Sequence, residues 1–157
     1  MAFKIARKEN KNIVVYNEDI SLNDQYENNM IWTKKIKKAI ESDNIIPVFQ
    51  PIVNNVTGVW EKYECLVRLL DDGKVISPFF FLEISKKTKH YTNITKIMLA
   101  KSFEEFKDKE LEFSVNITVD DILNEDLEKY IVEMLERYKI GNRVVFEIVE
   151  SESIENF

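Results

Sequence analysis

The most regular pattern in the chain lies between Val48 and Leu70, VFQPIVNNVTGVWEKYECLVRLL. Two extended runs flank a Thr57-Gly58 turn. In the second run, strict alternation puts Glu64, Leu66 and Arg68 on one face and Tyr63, Cys65, Val67 and Leu69 on the other. A carboxylate and a guanidinium therefore share one side of an otherwise apolar strand. Taken alone, that side reads as the wet face of a half-buried strand; the sharper reading is that Glu64 and Arg68 point into a site.

Downstream the period changes. Asp71-Asp72-Gly73 has turn chemistry, and Ser77-Pro78 reads as a helix start, with Ser at the N-cap and Pro in the first turn. Phe79, Phe80, Phe81, Leu82 and Ile84 are its expected buried residues, and Lys86 to His90 end it. His90 reads as an ordinary helix-end histidine. A second helix is predicted from Asn93 to Lys107, with Ile94, Ile97, Met98, Phe103 and Phe106 inward. Leu111 to Thr118 alternates as a strand: Leu111, Phe113, Val115 and Ile117 on one face, Ser114, Asn116 and Thr118 on the other. Helical spacing returns at Leu127, Tyr130, Ile131, Met134, Leu135 and Tyr138, predicting a helix from Glu125 to Lys139 with Gly141 as its cap. Arg143 to Val149 is the last strand, with Val145, Glu147 and Val149 sharing a face and Glu150 at its end.

Upstream, Ile31, Ile36, Ala39 and Ile40 predict a helix over 30–42, its lysines forming a solvated face. Residues 17–29 are polar and acidic and read as a linker. Residues 1–16 hold a short apolar helical pattern and a compact strand, Ile13 to Tyr16, which cannot bury themselves alone. Strands alternating with helices predict an α/β fold with a parallel sheet or a β/α barrel. The sequence stops directly after a strand, so the expectation is a piece of a larger fold.

Composition narrows the chemistry. The 157 residues are 45% hydrophobic and 11% aromatic, enough for one ordinary core. A net charge of -6 argues against nucleic acid as a bulk partner, while leaving room for a local basic pocket around a small phosphate ligand. One cysteine excludes a disulfide framework and fits a reducing, cytoplasmic setting; one histidine excludes His-rich metal sites. No apolar run reaches membrane-spanning length. Any metal must therefore use oxygen ligands.

Against that background four strands carry polar groups where buried parallel strands are normally apolar: Gln50, Glu64 with Arg68, Asn116, and Glu147. In β/α barrels such groups converge on one mouth. Glu64, Asn116 and Glu147 would offer two carboxylates and an amide oxygen, which suit Mg²⁺ or Mn²⁺, and Arg68 and Gln50 would suit a phosphate and a base edge.

In order and spacing, Gln50-Pro51-Ile52, Glu64-Cys65-Leu66-Val67-Arg68, Ser77-Pro78 with Phe81, Ser114 to Thr118, and Phe146 to Ser151 resemble the first half of an EAL domain across residues 30–157. Residues 1–16 resemble the C-terminal remnant of a GGDEF domain, joined by the 17–29 linker. The resemblance implies a partial, TIM-like β/α half-barrel whose first strand is antiparallel. It also implies a bacterial parent protein that hydrolyses cyclic di-GMP to the linear dinucleotide with Mg²⁺ or Mn²⁺. By motif, Glu64 is the metal-linked catalytic carboxylate. Glu64, Asn116 and Glu147 are metal ligands, Gln50, Leu66 and Arg68 contact the ligand, and Glu150 steadies a loop near the metal from behind.

Some positions depart from the pattern. The signature reads Glu-Cys-Leu instead of Glu-Ala-Leu; Ser85-Lys86 stand for an Ala-Glu pair, and Lys89 for a usual Gly. The family's Asp-Asp pair and catalytic Lys have no counterpart in these residues. The piece alone is therefore expected to be inactive, with Mg²⁺ or Mn²⁺ expected in the intact domain. The departures favour an alternative, a degenerate domain serving as a cyclic di-GMP receptor or interaction scaffold; an unrelated α/β interaction domain is the third reading. Open strand edges predict self-association, as a homodimer or otherwise.

Overall fold

A computed structural model describes residues 18–149. The chain starts with α1 (Glu18–Glu41), a helix that begins well before Met30. Residues 18–29, which belong to the stretch read as a linker, are thus helical; no Gly or Pro interrupts them. The second half of α1 enters the core through Ile36 and Ala39. Ile31, expected inward, is 53% exposed, and Trp32 turns in instead, stacking on Phe80 at 6.1 Å. The helix ends on Asp43, whose φ of 58° lets Asn44 N–H reach the Ala39 carbonyl at 2.8 Å. Lys101 locks this corner, its Nζ donating to the carbonyls of Asp43 at 3.0 Å and Ile45 at 2.7 Å.

Strand β1 (Ile45–Val53) pairs antiparallel with β2 (Trp60–Asp71), with an irregularity after Ile52. A tight turn at Asp72 and Gly73, both at positive φ, leads into β3 (Lys74–Ile76), which folds back on the end of β2. A single 3₁₀ turn (Pro78–Phe80) follows. Ser77 precedes it in extended conformation, and its hydroxyl caps nothing. Phe81 is fully buried, but Phe79 and Phe80 are 87% and 53% exposed, contrary to expectation. Three consecutive residues of a helical turn cannot all face one core.

Helices α2 (Leu82–Lys87) and α3 (Tyr91–Phe106) come next, separated by Lys89 at a φ of 60°. Strand β4 (Glu112–Thr118) lies parallel to β2. Asp120 and Asp121 belong to the short helix α4 (Val119–Ile122), which Thr118 and Asp121 cap reciprocally. Helix α5 (Glu125–Tyr138) starts on Asn124, whose Oδ1 accepts from the Asp126 and Leu127 amides. It ends on Lys139, which takes the left-handed position (φ 55°) expected to fall to Gly141. Strand β5 (Val144–Val149) lies parallel to β4.

The sheet order is β1-β2-β4-β5, with β3 attached to β2. This is a partial β/α barrel whose first strand is antiparallel. Its core lies between one sheet face and the helices. Phe103 and Phe106 of α3 meet Phe113 of β4, with Phe106 stacked on Phe113 at 4.5 Å and touched from β1 by Phe49. Cys65, Leu69 and Val115 complete that face. Because side chains alternate, burying Cys65, Phe113 and Val115 forces Glu64, Ser114 and Asn116 to the opposite face. Among the described residues no helix is long and apolar enough to cross a membrane.

Candidate functional site

The register aligns the polar face. Gln50 lies opposite Glu64, Glu64 opposite Ser114, and Asn116 opposite Glu147. Four strands therefore contribute side chains to one surface.

Its central contact joins β2 to β4. The Asn116 Nδ2 donates to Glu64 Oε1 at 3.0 Å. This bond leaves the second Glu64 oxygen and the Asn116 carbonyl without a partner among the described residues. Glu147 faces the same surface from β5, but its carboxylate is held by a cation: the Lys62 Nζ is 3.9 Å away. Lys62 also pairs with Glu112 at 3.4 Å. Lys62 and Glu112 were not singled out from the sequence, although alternation puts Lys62 two residues before Glu64 and Glu112 four before Asn116 on one face.

The remaining expected residues spread along the strands. Gln50 is exposed on β1. Arg68 sits nearer the end of β2, where its Nη1 donates to the Val67 carbonyl at 2.8 Å; among the described residues it forms no ion pair. Leu66 and Asn116 border a cavity of about 280 Å³ that Val149, Pro78, Lys86 and Tyr91 also line. Glu150 and the 1–16 remnant lie outside the described residues.

The turn after Asn116 is fixed from below. Asp121 accepts from the Thr118 amide and hydroxyl, both at 3.0 Å, and from Thr95 on α3. Burial raises the Asp121 pKa above its usual value despite these bonds. Tyr91 packs nearby, and burial, helped by the Asp121 charge, pushes its phenol up to about 12. Behind Glu64, burial pushes the Cys65 thiol up to about 11, so this sulfur is an inert core atom. The two substitutions noted after Ser77-Pro78 have visible consequences. Ser85 is fully buried with its Oγ bonded to the Leu82 carbonyl at 2.6 Å, and Lys86 pairs with Glu83 at 2.9 Å.

The donors here suit a hard divalent cation: carboxylate and amide oxygens, with no soft ligand. One further feature fits. Ser114, between Glu112 and Asn116 on β4, has its Oγ buried without a partner. Among the described residues, however, no group of three or more His, Cys, Asp or Glu side chains is clustered. The surface offers oxygen donors of the kind a hard cation takes, without a complete set of them among the described residues.

A family model described as the EAL domain matches residues 33–157. Several solved structures share the fold. The EAL domain of Xanthomonas citri FimX in complex with cyclic di-GMP superimposes with a TM-score of 0.71 at 21% identity, over 83% of this chain and 53% of that one. The PaMucR phosphodiesterase in complex with cyclic di-GMP gives 0.60 at 19% identity, over 67% and 46%. The S helix-GGDEF-EAL portion of Vibrio cholerae LapD, bound to cyclic di-GMP, gives 0.66 at 18% identity, over 76% and 30%. The chain thus spans about half the length of these structures, or less. No curated protein matches it.

Proposed function

The chain belongs to the EAL domain family, and on that premise we propose that it forms the first half of a cyclic di-GMP site in a bacterial signalling protein whose complete form is a metal-dependent phosphodiesterase. The observation that carries this reading is the Asn116–Glu64 bond, which presents two free oxygens on one face of parallel strands. On this reading Glu64, Asn116 and Glu147 hold Mg²⁺ or Mn²⁺. Arg68 meets a phosphate oxygen and Gln50 a base edge of cyclic di-GMP, with Leu66 packing against the ligand. Glu150 steadies the metal site from behind, residues 1–16 are the end of a GGDEF-like domain, and α1 carries the connection. When bound, the metal supplies an activated water and a clamp on phosphate oxygens. The chain's own residues orient the dinucleotide and fix the carboxylates; the remaining groups come from a second half of the barrel.

A second reading, a receptor or scaffold without turnover, is favoured by one observation. The Lys62 ammonium stands 3.9 Å from the Glu147 carboxylate, where a metal would otherwise be its counter-charge. Turnover of cyclic di-GMP to the linear dinucleotide by the protein with its complete barrel, with Mn²⁺ added and Glu64→Ala alongside, decides between them. Metal-dependent product that disappears in the variant supports the enzyme. Binding without product supports the receptor, and neither binding nor product overturns both readings.

A further inference from the structure

The Lys62 ammonium occupies an unusual place. It extends from β2 across the face that carries Glu64, and bridges Glu112 of β4 at 3.4 Å and Glu147 of β5 at 3.9 Å. Its own side chain is 28% exposed, and that of Glu147 39%.

Charge makes the placement consequential. Glu64, Glu112 and Glu147 bring three carboxylates to one side of three adjacent strands, and Lys62 lies between the last two. Carboxylates on one face repel one another in proportion to their nearness, and a cation between two of them relieves that repulsion. A divalent ion on Glu147 would perform that service; in the chain as folded, a tethered ammonium performs it.

We propose that Lys62 is a built-in counter-cation that competes with the divalent metal for Glu147, so that metal binding requires its displacement and its charge sets the metal affinity of this face. The proposal rests on the reading of Glu64, Asn116 and Glu147 as metal ligands. Lys62 contacts no reacting atom and acts through Glu147, as a positioning residue. When metal enters, the ammonium keeps Glu112 as its partner, so the lysine is never left without a counter-charge. A partly exposed pair of this kind holds its carboxylate against a competitor by a factor on the order of five.

The test is Mn²⁺ binding to the 157-residue chain, followed by the loss of the free-ion paramagnetic resonance signal. Lys62→Gln is expected to bind Mn²⁺ on the order of five times more tightly than the parent chain. Lys62→Arg, which keeps the charge, is expected to show no gain, and the gain is expected to vanish when Lys62→Gln is combined with Glu147→Gln. A second readout needs no metal bound at the start: without metal, Lys62→Gln lowers the thermal midpoint, and Mn²⁺ raises it more in the variant than in the parent. Tight parent binding that Lys62→Gln leaves unchanged overturns this proposal and leaves the metal site standing. Absence of saturable binding in the parent and in Lys62→Gln alike overturns both.

Discussion

Asn116 and Glu64, fifty-two positions apart, are joined by one hydrogen bond of 3.0 Å between adjacent parallel strands. The bond fixes which Glu64 oxygen stays free and holds the Asn116 amide beside it. Asn116→Ala is expected to weaken Mn²⁺ binding ten- to a hundred-fold, the usual effect of losing a group that orients a ligand. It should cost about 1 kcal/mol or less of stability, because the bond is only partly buried. Titration with Mn²⁺ and thermal unfolding of the variant check both parts; unchanged metal affinity would remove Asn116 from the site.

Lys89 carries left-handed backbone at a φ of 60° without the freedom of glycine. Relief of that strain is worth about 1–2 kcal/mol, and the added freedom of the unfolded chain takes back about 0.5–1 kcal/mol. Lys89→Gly should therefore stabilise the chain by about 0.5 kcal/mol, and Lys89→Ala should not stabilise it at all. Urea unfolding of the two variants separates these outcomes.

Tyr91 predicts an alkaline weakness. Its ordinary pKa of 10 rises to about 12 in the fold. Between those values the folded state holds the phenolic proton more tightly than the unfolded state does. Stability therefore falls as pH rises from about 10 and the loss is complete by about 12. The loss is about 3 kcal/mol at most, and smaller once solvent screening of the partly exposed ring is allowed for. Tyr91→Phe should flatten that part of the profile, as read from urea midpoints across the range. A slope of the same size in Tyr91→Phe would assign it elsewhere.

The β5 edge predicts association. Among the described residues β5 pairs only with β4, and it exposes Ile148 at 60% and Val149 at 41%. An apolar strand with an open edge pairs with another strand. The chain is expected to form a concentration-dependent dimer in sedimentation experiments, weakened by Ile148→Lys. A monomer at every concentration contradicts this.

The sequence carried the sheet well, because alternation in β2 and β4 is strict. Burying Cys65, Phe113 and Val115 leaves Glu64 and Asn116 only one direction. The helical period of α5 was equally plain. Less was readable where period gives no answer. Phe79, Phe80 and Phe81 all looked buried, but a 3₁₀ turn admits one of them to the core. The start of α1 lacks any breaker to contrast with a linker. Lys62 was overlooked because pattern gives the face of a side chain, not its reach. Only the folded register shows that a lysine beside Glu112 also spans to Glu147.

On the proposed function, one face of this sheet recognises cyclic di-GMP. The direct measurement is an NMR titration of the isotope-labelled 157-residue chain with cyclic di-GMP in the presence of Mg²⁺. The account predicts saturable shift changes that map to Gln50, Glu64, Leu66, Arg68 and Asn116, lost in Arg68→Ala. No shift at the highest attainable ligand concentration, or shifts confined to the helices, would contradict it.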